Sequence, residues 1–301
     1  MQLYLSGSLG KSDYQIIERI LELDGYRLCT FAYPKEAAVY LDIAESLGYR
    51  GKIMIDSGAF TFWTSGKRIK LEKLVNYSQG LLDKYGDKHD FIFISLDVMP
   101  GKRGETPTQE QLKQTMKDSY YNYINYQDAM EEHTVLPVYH SGEPVALRNM
   151  YLDKTDHICL SMNQGMGEKH RVGWASRNQV PGIKMHGLAA TGNQMIRYVD
   201  WYSVDSASWI LTAAMGMIYW PGANGLGILK VSNQSEKRKT HNAHADSVTN
   251  HEAVRAAIEA KGFDYEELAD DHRQRMLWNL EAWYLNDWKQ NPIIDKGLFD
   301  D

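Results

Sequence analysis

Cysteine is nearly absent: the 301 residues hold only Cys29 and Cys159, each inside an apolar run. Two such thiols exclude a disulfide scaffold and cannot build a zinc site that needs several thiolates. Both are expected to be buried and reduced. No window approaches 18 uninterrupted apolar residues, so no membrane-spanning helix is expected. Internal repeats and low-complexity tracts are missing too, which excludes solenoid and propeller architectures. There is no excess of positive charge. Lys plus Arg total 33 against 39 for Asp plus Glu, a formal net charge of −6, so global electrostatics do not mark a nucleic-acid binder. The first residues, Met1-Gln2-Leu3-Tyr4-Leu5, enter a strand pattern with no basic region and no cleavage site. A cytoplasmic protein is the expectation.

What is present suits a folded α/β protein, with 43% hydrophobic and 24% charged residues. Apolar strand patterns cover Gln2–Ser6, Arg27–Tyr33, Lys52–Ile55, Phe91–Leu96, Thr134–Tyr139, His157–Leu160, Gly182–His186 and Trp201–Val204, with helical spacing between them. Thr108 and Gln111 are spaced as a capping box. Eight strand-helix repeats predict a (β/α)8 barrel of the TIM type over residues 1–229. A doubly wound open sheet has the same alternation. The barrel is preferred because Asp56, Asp97, His140, Ser161, His186 and Asp205 all fall just beyond strand C-termini, the face on which barrel enzymes gather their active sites. Residues 230–301 are expected to form a mostly helical appendage, whose aromatic stripe of Trp283, Tyr284 and Trp288 reads as packing surface.

Three aspartates closing apolar runs are the main functional clue. In Ile53-Met54-Ile55-Asp56-Ser57-Gly58-Ala59-Phe60 a buried strand runs into a carboxylate, a hydroxyl, a glycine turn and an aromatic ring. Paired carboxylates suit glycosyl transfer, one attacking the anomeric carbon while the other moves the leaving group's proton. Alone, the pattern licenses only a carboxylate-based barrel enzyme.

Particular motifs narrow this. Asp56-Ser57-Gly58-Ala59-Phe60 resembles the Asp-Ser-Gly-Gly-(Phe/Tyr) motif of the tRNA-guanine transglycosylase superfamily. His186-Gly187-Leu188-Ala189 is similar to its Gly-Gly-Leu-Ala substrate loop, and Val138-Tyr139-His140-Ser141-Gly142 to its apolar-apolar-Gln-Gly-Gly segment. The likeness spans roughly residues 50–210. It implies an enzyme that exchanges guanine in nucleic acid for a 7-deazaguanine. By this resemblance Asp205 is the nucleophile and Asp56 the general acid/base. Asp97 accepts from the guanine-like edge, while Ser57 and His140 contact the base. The backbone around Gly187, Leu188 and Ala189 donates to the base carbonyl, and Phe60 is the ring under the flipped base, which needs a π-face to replace its lost stack.

The chain departs from the family at Ala59, Thr61, His140, His186 and Thr191-Gly192. The Cys-x-Cys-x-x-Cys…His zinc motif is absent, and His241, His244, His251 and His272 have no thiolates beside them. No metal or other cofactor is expected. Compact size without that motif is most similar to the phage-type DNA-guanine transglycosylases, which implies DNA as partner in preference to tRNA, with a free 7-deazaguanine base as second substrate. Docking would fall to Lys67, Arg68, Lys70, Lys102 and Arg103, and to Lys237, Arg238 and Lys239. A non-catalytic nucleic-acid-binding barrel is the alternative; the joint presence of Asp56 and Asp205 argues against it.

Overall fold

A computed structural model of the protein describes residues 1–101, 108–162, 165–222, 225–232 and 251–285. They divide into two compact units, Met1–Ser206 and Ala207–Asp301.

The first unit is a parallel sheet wrapped by helices. Its strands are β1 (Gln2–Leu5), β2 (Tyr26–Thr30), β3 (Lys52–Asp56), β4 (Asp90–Ile94), β5 (Val135–Leu136), β6 (Val138–His140), β7 (His157–Ser161), β8 (Lys184–Gly187) and β9 (Ser203–Ser206). They neighbour one another in the order β5-β4-β3-β2-β1-β9-β8-β7-β6. The two ends of that order are consecutive in the chain, separated by Pro137 alone. Proline has no N–H to give to a ladder, so the strand is interrupted there, although the Pro137 carbonyl still accepts from Cys159 N at 2.9 Å. β5 pairs with β4 and β6 with β7, and the two pieces serve as one strand. Eight strand positions close into the (β/α)8 barrel, with β1 sealed against β9.

Side chains alternate across each strand, and the inward set packs as one apolar cluster: Tyr4, Leu28, Met54, Ile94, Leu136, Val138 and Cys159. The residues two places further along four of these strands are Thr30, Asp56, His140 and Ser161. The same alternation that fills the core therefore turns a polar layer inward at the C-terminal mouth. Both cysteines are free and buried. Buried Arg27 donates to the carbonyls of Leu5 and Gly7 and fixes where β1 leaves the barrel.

The helices follow their sequence patterns. In α1 (Tyr14–Glu22) the buried residues are Ile16, Ile17, Ile20 and Leu21, one stripe at helical spacing, each stabilising by about 1.5–3 kcal/mol on burial. Pro34 precedes α2 (Lys35–Leu47), which ends at Gly48 in the left-handed region, φ 74°. The segment after β3 forms α3 (Ala59–Thr64) and α4 (Leu71–Tyr85). The capping box opens α5 (Gln109–Met130): Gln111 N donates to Thr108 Oγ1 at 3.2 Å, and Thr108 N to Gln111 Oε1 at 2.8 Å. α6 (Val145–Leu152), α7 (Glu168–Arg177) and α8 (Asn193–Tyr198) complete the wrapping.

The second unit begins earlier than residue 230. Its α9 (Ser208–Ala214) leads into an antiparallel hairpin of β10 (Met217–Gly222) and β11 (Gly225–Lys230), which forms a sheet of its own. The hairpin packs within this unit. Asn279 of α12 (His272–Leu285) accepts from Tyr219 N at 2.6 Å and donates to Trp209 O at 3.0 Å. Trp278 stacks on Trp220 with centroids 5.8 Å apart, and Trp283 on Tyr219 at 5.5 Å. The aromatic stripe is core, although Trp288 lies outside the described residues. α10 (His251–Glu259) and α11 (Tyr265–Asp270) complete this unit. Among the described residues no helix is long and apolar enough to cross a membrane.

Candidate active site

β3 ends on Asp56 itself, and the chain then turns sharply. Gly58 N donates to Asp56 Oδ2 at 3.0 Å, and Ala59 N to the Oγ of fully buried Ser57 at 3.3 Å. The turn requires glycine at 58. Its φ is +73°, and a Cβ there would sit 2.9 Å from Thr30 Oγ1 and 3.0 Å from Ala32 N. Thr30, the register partner of Asp56 on β2, also hydrogen-bonds its carboxylate. Burial pushes the Asp56 pKa up to about 7, and the charges of Asp97 and Asp205 add to the rise, while the Gly58 and Thr30 bonds oppose it.

Asp97 lies just past β4. His140, the last residue of β6, meets Asp97 Oδ2 through Nε2 at 3.0 Å, and its Nδ1 faces Glu143 Oε1 at 3.5 Å. Desolvation acts against the charged ring, but the hydrogen bonds and charges of Asp97 and Glu143 outweigh it and raise the His140 pKa to about 10. The imidazole is therefore a cation at neutral pH. Both its N–H groups are already spent on carboxylates, so the contact with a base that the resemblance implies would have to break one of them if it ran through an N–H.

Asp205 sits in β9 beside fully buried His186 of β8. Asp205 Oδ1 faces His186 Nε2 at 3.3 Å and accepts from Ala189 N at 3.0 Å; His186 Nδ1 lies 2.9 Å from Ser203 Oγ. With Nε2 protonated, the ring donates to Asp205 and accepts from Ser203. Two donors then hold Oδ1, and Oδ2 is left outside this pair of contacts. The His186–Ala189 segment differs here from its expected role. Gly187 is a strand residue paired with Leu160 and Val204, and Leu188 N donates to Leu160 O at 3.1 Å. The free N–H of that loop, at Ala189, serves the Asp205 carboxylate instead of a base carbonyl. Ala189 adopts φ +51° to do so, a conformation that costs a non-glycine residue some strain.

These groups converge. Asp56 is acted on by both Asp97 and Asp205, and the thiol of buried Cys159 is raised by burial and then by Asp205, Asp56 and Asp97. Three carboxylates thus ring the barrel mouth above one core residue. Phe60 is 49% exposed, with Trp63 tilted against it at 6.0 Å. Lys67, Arg68 and Lys70 are exposed on the segment joining α3 to α4, whereas Lys102, Arg103, Lys237, Arg238 and Lys239 lie outside the described residues, as do His241 and His244. Thr30, Glu143 and Ser203 join the site without having been singled out in the sequence. The spacing of three between His140 and Glu143 across Ser141-Gly142 was a usable signal for one of them. Among the described residues no group of three or more His, Cys, Asp or Glu is arranged to hold a metal ion. A separate cleft of about 460 Å³, lined by Gln2, Ile183, Lys184 and Tyr202 among others, lies where β1 and β8 begin, at the opposite end of the barrel.

No family model and no curated protein matches the chain. Among solved structures it is similar to a D-allulose 3-epimerase from Methylomonas sp., with a TM-score of 0.39 and 11% identity over 68% of this chain and 83% of that one. The same epimerase in complex with D-allulose gives 0.39 and 12% over the same shares.

Proposed function

We propose that the protein is a transglycosylase that exchanges guanine in DNA for a 7-deazaguanine base through a covalent glycosyl-aspartate. The observation that carries this reading is the pairing of unlike carboxylates. Asp56 has a proton affinity balanced near neutrality at about 7, and Asp205 is held by the Ala189 N–H with one oxygen free. Acid/base work is fastest when the group's pKa lies near the working pH.

In the first half-reaction Asp205 Oδ2 attacks C1′ of the target nucleoside. The C1′–N9 bond breaks, and Asp56 supplies the proton that the departing guanine takes with it. An ester between Asp205 and C1′ remains. The incoming base then gives its N9 proton to the Asp56 carboxylate and attacks C1′, and the bond to Asp205 breaks to restore the free carboxylate. Asp97 accepts from the base's N–H edge and Phe60 stacks on its face. Lys67, Arg68 and Lys70 face the phosphates. The protein works in the cytoplasm on this reading, without metal or other cofactor.

The test is mass spectrometry of nucleosides from DNA and from tRNA after incubation with the protein and a 7-deazaguanine. Incorporation into DNA, lost in Asp205→Asn together with a trappable covalent adduct, is the expected result. Incorporation confined to tRNA would change the nucleic acid, and full activity of Asp205→Asn would remove the mechanism.

A further inference from the structure

Glu143 has no part in the chemistry above, yet its side chain is folded onto the site. The turn His140-Ser141-Gly142-Glu143 is closed by Glu143 N donating to His140 O at 3.2 Å, with Gly142 at φ +101°. That turn brings Glu143 Oε2 to within 2.7 Å of His140 N, from which it accepts, and sets Oε1 against Nδ1 at 3.5 Å. From the far side of the ring Asp97 Oδ2 lies 3.0 Å from Nε2. All three side chains are mostly buried, at 20%, 13% and 16% exposure for His140, Asp97 and Glu143.

A neutral imidazole has one N–H, so it could satisfy one of these carboxylates and would turn a lone pair toward the other. Only the doubly protonated ring satisfies both. The groups that face it favour this state. Asp97 comes from the segment after β4, Glu143 from the turn before α6, and Ser161 of β7 is the register partner. The phenol of Tyr151 on α6 lies in the field of both carboxylates, and the charges acting on His140 itself are Asp97 and Glu143. Asp97 gives Oδ2 to this arrangement and keeps Oδ1.

We propose that Glu143 is a positioning residue: it holds His140 as a cation, which in turn grips Asp97 by Oδ2 and orients its other oxygen for a ligand carrying adjacent N–H donors. The edge this suits is that of an amidine or a 2-amino-6-oxopurine. The ligand class rests on the base-exchange reading, whereas the proton state of the ring does not.

Two measurements on the full chain separate these levels. Ring-nitrogen NMR of 15N-histidine-labelled protein is expected to find His140 doubly protonated at about pH 8, and Glu143→Gln to lower its midpoint by at least about one unit, with Glu143→Asp restoring part of the loss. The wild-type titration stands even if a variant folds poorly. A neutral His140 at that pH, or a midpoint unmoved in Glu143→Gln, overturns the proposal. Calorimetry with guanine and hypoxanthine, which lacks the 2-amino group, is expected to give at least about tenfold tighter binding of guanine, since a buried acceptor left unpaired is costly. That preference should be lost in Glu143→Gln above its new midpoint and retained below it. The expected NMR result with no purine binding would uphold the proton state and overturn the ligand class together with the base-exchange reading.

Discussion

A carboxyl group taken out of water beside two others holds its proton tightly, and Asp56 is such a group. Its value in the folded chain, about 7, lies above the ordinary 3.8, so folding takes up a proton between these limits. Asp56 therefore weakens the fold as pH rises through that window, with the full penalty above about 7. Asp56→Asn keeps an acceptor for Gly58 N and removes the charge. It is expected to raise the melting temperature by a few degrees at pH 8, on the order of 1–2 kcal/mol once partial solvent access is allowed for, and by less at pH 5. Differential scanning fluorimetry checks this, and base exchange should disappear in the same variant. The half-reactions should also respond oppositely to pH. Guanine release needs protonated Asp56 and should fall about tenfold per unit above pH 7; capture of the incoming base needs the carboxylate and should fall below it. Single-turnover measurements of each half distinguish them. The strand-end aspartates were legible in the sequence because an apolar run followed by an acid is a local pattern. Thr30 and Ser203 were not, since their partners lie on neighbouring strands and only the register joins them.

At the scale of elements, most of the barrel could be read from alternating periods, and the Thr108 capping box formed as its spacing predicts. One feature could not. The segment Thr134–Tyr139 reads as one strand, but Pro137 divides its ladder between two neighbours. The β3–α3 junction makes the most exacting demand on sequence, since Gly58 needs both a positive φ and empty space toward β2. Gly58→Ala is expected to cost roughly 1–3 kcal/mol and to release Asp56 from its turn. Chemical denaturation measures the first effect. A further rise in the pH midpoint of guanine release, as the Gly58 bond that lowers the Asp56 pKa is lost, measures the second.

For the whole molecule, a net charge of −6 means that any affinity for DNA depends on local cations and must be sensitive to salt. If Lys67, Arg68 and Lys70 each neutralise a phosphate, replacing all three by alanine should reduce the slope of log K against log salt by about 3. Fluorescence anisotropy with duplex DNA at several salt concentrations reads this directly; an unchanged slope would move the docking surface elsewhere. The barrel's closure was predicted from the polar residues gathered beyond strand C-termini, since strand number alone fits an open sheet as well; the unit boundary at Ser206 was not predicted. Nothing in the sequence distinguishes a hairpin that pairs with itself from strands that join the sheet.

The seal between β1 and β9 has a consequence for how the chain is made. Gln2 pairs with Ser203 and Leu5 with Ser206, so β1 leaves the ribosome about 200 residues before β9, the last strand of its unit, can close its edge. At roughly 5–20 residues per second, that is about 10–40 s during which one edge of β1 stays open as a template for any passing strand. Such long-range closure also makes for slow folding. Cells making this protein should have it bound by chaperones during synthesis, and a stalled nascent chain ending before Ser203 should remain bound to them while one extended past Ser206 is released.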